Sequence, residues 1–182
     1  MRIRFLPYLA YAFLLSMANV SCIKDVDFDQ AGDITMQPEI QTDLLIFEID
    51  QKDFVDPATN QSKLIIRDTV RLEFLDDSYI QNDLEKVEFS FKYRNSFPQG
   101  FFNKISFLSE NNALQHQVSF YIGGGAARNP AVTEKIELIL PQRIQVIKNS
   151  IKMVVELEVM PGNEPFTGIL NFESKGLFSF QF

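Results

Sequence analysis

Val87-Glu88-Phe89-Ser90-Phe91-Lys92-Tyr93 is the stretch that decides the fold. Large apolar side chains take every second position, with Glu, Ser and Lys between them. A β-strand turns successive side chains to opposite faces, whereas a helix repeats about every 3.6 residues. The alternation therefore describes a strand with one dry face and one wet face. Working outward, Leu45, Phe47 and Ile49 alternate with Ile46, Glu48 and Asp50. Val70, Leu72 and Phe74 alternate with Arg71 and Glu73. Ile136, Leu138 and Leu140 read as one dry face, with Glu137 opposite. Ile151, Met153, Val155, Leu157 and Val159 alternate with Lys152, Glu156 and Glu158. Leu170, Phe172, Phe178, Phe180 and Phe182 close the series.

Two further strands are expected at 102–109 and 114–122, joined by Glu110-Asn111-Asn112-Ala113. Asn tolerates positive φ, which suits a hairpin. Pro38, Pro57, Pro98, Pro130, Pro141, Pro161 and Pro165 fall between the alternating runs, where the missing N–H does least harm. One short helix is expected at 142–149, with Pro141 at its start and Leu140, Ile144, Ile147 and Ile151 at helical spacing. A helical turn is expected at 77–83, capped by Asp76, Asp77 or Ser78. The predicted fold is an all-β, immunoglobulin-like antiparallel β-sandwich of seven or eight strands with one short helix, over 39–182. The 18 Phe, with no Trp and no Cys pair, are expected to fill the space between its sheets. An outer-membrane barrel shares the alternation, but it would enclose Glu88, Lys92, Lys152, Glu156, Glu158 and Glu173 in a narrow lumen if the apolar faces met lipid.

Composition narrows the chemistry. Seventeen basic and 24 acidic residues give −7, which argues against a nucleic-acid partner. One Cys and one His exclude a disulfide framework and a Cys/His zinc site, so no metal and no cofactor is expected.

The N-terminus carries the clearest functional signal. Arg2 and Arg4 precede a mostly apolar run from Phe5 to Ala18, then Asn19-Val20-Ser21-Cys22. A charged start, an apolar core and a small residue before the break describe a signal peptide over 1–21. Val20-Ser21-Cys22 resembles a bacterial lipobox, with Asn19 where a Leu-like residue is usual. The resemblance implies cleavage before Cys22 and lipidation of its thiol. An uncleaved anchor is the alternative, although Ser16, Asn19 and Ser21 shorten the apolar span. Removing Arg2 and Arg4 with the leader takes the charge from −7 to −9. Such a surface is repelled by anionic headgroups, so the lipid must supply the attachment.

Residues 22–38 then form an acidic tether. Asp25, Asp27, Asp29 and Gly32 lack the spacing of a calcium loop, whose sixth and twelfth positions would here be Gln30 and Met36. Lys24-Asp25 resembles the short signal that sends some Bacteroidota lipoproteins to the cell surface.

From Asp29 onward the chain resembles a group of small uncharacterised outer-membrane lipoproteins of Bacteroidota. The resemblance rests on Asp43-Leu44-Leu45-Ile46-Phe47, Asp53-Phe54-Val55-Asp56, Phe91-Lys92-Tyr93-Arg94-Asn95 and Val159-Met160-Pro161-Gly162. It brings no activity with it. Phe89 to Phe120 is also similar in outline to the sandwich domain of late-embryogenesis-abundant proteins.

Candidate chemistry is sparse. His116 shows no nucleophile or orienting acid in the sequence around it. Gly123-Gly124-Gly125 lacks the Lys-Ser/Thr of a phosphate cradle. Asp76-Asp77 and Glu110 could serve as a carboxylate pair only if the fold set them across a cleft. Phe97, Phe101 and Phe102 surround a Pro/Gly turn, either as an exposed binding patch or as a plug of the sandwich end. Asp68-Thr69-Val70 resembles a short O-glycosylation motif of Bacteroidota. Together these features point to a non-enzymatic lipoprotein of the outer membrane, with the cell surface as the side that the Lys24-Asp25 resemblance implies. It would be held to the membrane through Cys22 and would bind an unknown protein or glycan. A carbohydrate-binding or glycan-processing accessory is the alternative.

If Cys22 carries the anchor, Cys22→Ala moves the protein from the membrane fraction to the soluble fraction. Retention in the membrane with the leader removed would refute the lipid anchor.

Overall fold

The computed structural model describes residues 37–182. The leader, Cys22 and most of the tether lie outside the described residues. Eight strands follow in order: β1 (Glu39–Asp50), β2 (Ile65–Arg71), β3 (Leu84–Asn95), β4 (Phe101–Leu108), β5 (Leu114–Ile122), β6 (Ala131–Ile139), β7 (Lys152–Val159) and β8 (Ile169–Phe180). Short helices α1 (Ser78–Asp83) and α2 (Gln145–Lys148) sit in the β2–β3 and β6–β7 connections. Asp77 precedes α1 without a side-chain cap, and a 3₁₀ turn at Pro141–Arg143 leads into α2. The helix expected at 142–149 is thus two single turns.

The strands form two antiparallel four-stranded sheets, β1-β8-β3-β6 and β2-β7-β4-β5. The all-β sandwich is as expected, but the immunoglobulin-like strand order is not. In an immunoglobulin sandwich the first two strands share a sheet. Here β1 pairs with β8, and only β4 and β5 pair as sequence neighbours. This is the order of a double-sheet jelly roll. Its cause is visible in the connections. The β4–β5 turn is tight, with Asn112 at φ 60°. The segments 51–64, 72–83 and 140–151 are long enough to cross the roughly 10 Å between packed sheets.

The core lies between the inner faces. Val87, Phe89, Phe91 and Tyr93 of β3 are fully buried, next to Leu170, Phe172, Phe178 and Phe180 of β8. Phe101, Ile105, Phe107, Met153, Val155 and Leu157 face them from the second sheet. Tyr93 stacks on Phe172 at 4.5 Å, and Phe89 packs on Phe107 at 4.7 Å. Burial holds the Tyr93 phenol well above its ordinary value of 10.0, so it stays protonated and donates to Asn103 Oδ1 at 3.1 Å. Gly176 sits under the Phe178 ring, where a Cβ would come within 2.5 Å of Cε2. At the bulge in β1, Ser174 Oγ accepts from Leu45 N and donates to Leu45 O, both at 3.0 Å.

Two alternations are corrected. β2 ends at Arg71, so Leu72 and Phe74 are not strand residues. Leu72 N donates to Ile151 O at 2.7 Å, and a 3₁₀ turn begins at Glu73. β6 is reversed. Ile136, Leu138 and Leu140 are exposed, whereas Thr133, Lys135, Glu137 and Ile139 point toward the second sheet. Pairing fixes this, because residues opposite each other in an antiparallel pair share a face. Glu137 lies opposite Phe89 and Lys135 opposite Phe91. At the margin of the sandwich their charged ends reach the open side.

Phe172→Ala is expected to cost about 3–5 kcal/mol in urea unfolding, because it removes the ring between Tyr93 and Phe47 and leaves a cavity.

Candidate functional site

One end of the sandwich carries an open cleft of about 600 Å³. Its first wall is the β1–β2 connection. Asp56 builds that wall by accepting from Ala58 N at 2.9 Å and Thr59 N at 3.1 Å. These bonds, with Lys63 at 3.6 Å, hold its carboxyl below the ordinary value against a slight opposing effect of burial. Asn60 takes φ 55°, and Lys63 N returns to Phe54 O at 2.7 Å. The excursion closes on itself and turns Phe54 inward. Val159, Met160, Pro161 and Gly162 form the facing wall.

Phe54 and Phe166 supply the floor, at 4.9 Å edge to face. Phe97 stacks beneath Phe166 at 4.6 Å, and Phe101 packs against Phe54 and Phe97. Gln99 also lines the cleft. Its Nε2 donates to Glu164 O at 2.6 Å, and its buried Oε1 has no partner among the described residues. Below it, Asn95 is fully used: Nδ2 donates to Gln99 O and Gly123 O, and Oδ1 accepts from Phe97 N. With Gly125 N donating to Phe97 O, the glycine run is pinned to the turn beneath the cleft.

Phe97, Phe101 and Phe102 do not share an exposed patch. Phe97 and Phe101 are fully buried, because the turn packs Phe97 on Phe166 and strand alternation sends Phe101 inward. Alternation sends Phe102 outward, 39% exposed. There Phe102 lies directly opposite Tyr121 of β5 and Glu158 of β7, and Glu158 lies opposite Ile65 of β2. Phe102 and Tyr121 make an exposed aromatic pair on the outer face, with Glu158 between them and Ile65. Tyr121 lies over Gly100, where a Cβ would meet the Ile122 carbonyl oxygen at 2.7 Å as well as the Tyr121 ring. Alternation signals Tyr121 as outward-facing, but only strand pairing places it beside Phe102.

The next row is Arg67–Glu156–Lys104. Burial pushes the Glu156 carboxyl up, but its bonds to Lys104 and Arg67 outweigh this and hold it below 4.5.

His116 is buried at the margin between the sheets. Its Nε2 faces Glu137 Oε1 at 3.0 Å, and Arg143 Nη2 lies 3.1 Å from Nδ1. A guanidinium only donates, so Nδ1 accepts and the ring is the neutral Nε2–H tautomer. Burial, with Arg143, keeps its pKa below 6.5 despite Glu137. Both nitrogens are engaged, which makes this group a strut between β5, β6 and the Pro141–Arg143 turn. Asp76 and Glu110 line one shallow hollow of about 400 Å³ at the opposite end, with Lys148 and Gln81; Asp77 does not line it. Among the described residues, no group of three or more His, Cys, Asp or Glu is placed to hold a metal ion, and no helix is long and apolar enough to cross a membrane.

No protein-family model matches the chain, and no curated protein sequence matches it. Solved structures show a distant likeness. A candidate secreted protein of Parabacteroides distasonis is 15% identical at TM-score 0.46, covering 61% of this chain and 36% of its own. The infectious bursal disease virus Gx strain structure is 9% identical at TM-score 0.44, covering 80% and 32%. The enzymatically active domain of tailspike protein 4 from bacteriophage CBA120 is 12% identical at TM-score 0.39, covering 79% and 19%. The chain thus spans about a third or less of each, and likeness at this level carries no information on function.

Glu156→Gln tests the charge row. A carboxyl held below 4.5 stabilises the fold above that pH, and the contribution is lost as pH falls through the folded value. Wild type is expected to exceed the variant by about 1 kcal/mol at neutral pH. The gap closes on acidification below pH 4.5 in urea titrations.

Proposed function

We propose that this protein is a non-enzymatic, lipid-anchored module of the bacterial envelope that binds a partner in the cleft at one end of its jelly roll. The observation that carries the reading is the cleft itself. It is concave, walled by Val55, Leu64, Val159 and Met160, floored by Phe54 and Phe166, and marked by one amide with an unused acceptor. An apolar hollow with few convergent polar groups is the usual form of a binding site. The membrane part of the reading rests on the leader and on Val20-Ser21-Cys22. The non-enzymatic part is supported by the engagement of both nitrogens of the single His.

The Phe102–Tyr121 row favours a second reading, in which the partner is a glycan. Exposed aromatic faces stack on the C–H face of sugars, and Glu158, Lys104 and Ser119 stand beside them to meet hydroxyls. The proposed location is the outer membrane, with Lys24-Asp25 supporting its outer surface.

A photo-crosslinking residue at Leu64 is expected to capture a partner in the intact envelope, and one at Asn149, at the far end, is not. No adduct at Leu64, or equal labelling at both sites, would overturn the cleft. If the partner is a glycan, Phe102→Ala with Tyr121→Ala lowers retention on it by about tenfold, the equivalent of about 1.4 kcal/mol.

A further inference from the structure

We infer that the free edge of β6 is the surface on which two copies of this chain pair, through a two-fold axis at Ile136. The observation is the reversed strand. Val132, Ile136 and Leu138 lie along the outer face of β6, with Glu134 among them, and Leu140 follows just past its end; the four apolar residues are each between 46% and 59% exposed. β6 is also the last strand of its sheet, so its outer row of backbone N–H and C=O groups has no strand partner among the described residues. Of the three other edges, β1 is interrupted by the bulge near Leu44, and β5 shifts register at its start near Leu114 and turns Gln117, Ser119 and Tyr121 outward. The edge strand β2 is shorter and carries three charges in seven residues, Arg67, Asp68 and Arg71. β6 has no Pro, and it runs in unbroken register against β3 from Ala131 to Ile139. It is therefore a straight edge with an aliphatic stripe, and both features favour an added strand.

Charge decides what the added strand is. A two-fold antiparallel pairing centred on one residue sets that residue opposite its own copy and pairs its neighbours symmetrically. Centred on Glu134, Lys135 or Glu137, it sets like charges directly opposite each other, which destabilises a strand pair. Centred on Ile136, it sets Ile136 on Ile136, Val132 opposite Leu140 twice, and Lys135 opposite Glu137 twice. Glu134 then lies opposite Leu138 while remaining bonded to Lys92 of its own chain at 2.7 Å. Of the four registers across the middle of the strand, this one alone sets no like charges directly opposite each other and places Ile136 on Ile136. Two sheets would join into one, with Lys135 and Glu137 repeating between copies the pairing they make at 3.9 Å within the chain.

The register is testable because one residue meets itself. In the full chain in its envelope, Ile136→Cys is expected to form a disulfide-linked dimer on mild oxidation. Wild type, which keeps Cys22, and Glu134→Cys are not. In detergent, light scattering is expected to show a dimer for wild type and a monomer for Ile136→Lys, with dimer affinity reduced at least tenfold and thermal unfolding confirming that the variant is folded. A wild type that stays monomeric at every concentration would overturn the proposal. So would cross-linking at Glu134→Cys rather than Ile136→Cys, or capture of a different protein by Ile136→Cys.

Discussion

The aromatic layer on the inner faces of β3 and β8 is the constraint on which the rest of the molecule depends. These are the two central strands of their sheet, and Phe89, Phe91, Tyr93, Phe172 and Phe178 stand side by side on them. Each ring buries on the order of 150–250 Å², so the layer sets both the sheet spacing and the faces that must turn inward. With no disulfide available among the described residues, this packing provides most of the stabilisation. Residues that could not join it, such as Lys135 and Glu137, are confined to the margin.

The ends and margins carry the polar structure. Asn95 satisfies three backbone groups beneath the cleft, and the His116–Glu137–Arg143 group ties β6 to β5. Buried polar groups are tolerable only where such bonds are complete. The two exceptions, Gln99 Oε1 and Asn103 Nδ2, are therefore informative. The first belongs to a residue lining the cleft. The second lies beside the Tyr93 hydroxyl in the core.

Much of the fold was legible because strand alternation is a local property. β3 and β7 follow their alternation, β8 follows it as far as Phe180 while Phe182 lies exposed beyond the strand, β4 and β5 fall within one residue of their expected bounds, and Asn112 takes the positive φ expected of the hairpin. β6 was not legible. Ile136 and Leu138 make an apolar face whether that face is covered by the core or left outside, and only pairing with β3 decides between them. The candidate site was legible in part. The sequence singled out Phe97, Phe101 and Phe102 as a group, but their spacing cannot say that a turn buries the first. Phe54, Phe166 and Gln99 come from three connections, and nothing local relates them.

By itself, the sequence determined that this is an all-β sandwich with a Phe-filled core, and that its one Cys stands at position 22, after an apolar run. These are consequences of period, composition and position along the chain. The tertiary structure decided the jelly-roll order, the cleft, the Phe102–Tyr121 row and the outward face of β6. Each depends on which strands become neighbours. That choice is made by long connections crossing between sheets and by the packing of residues far apart in sequence.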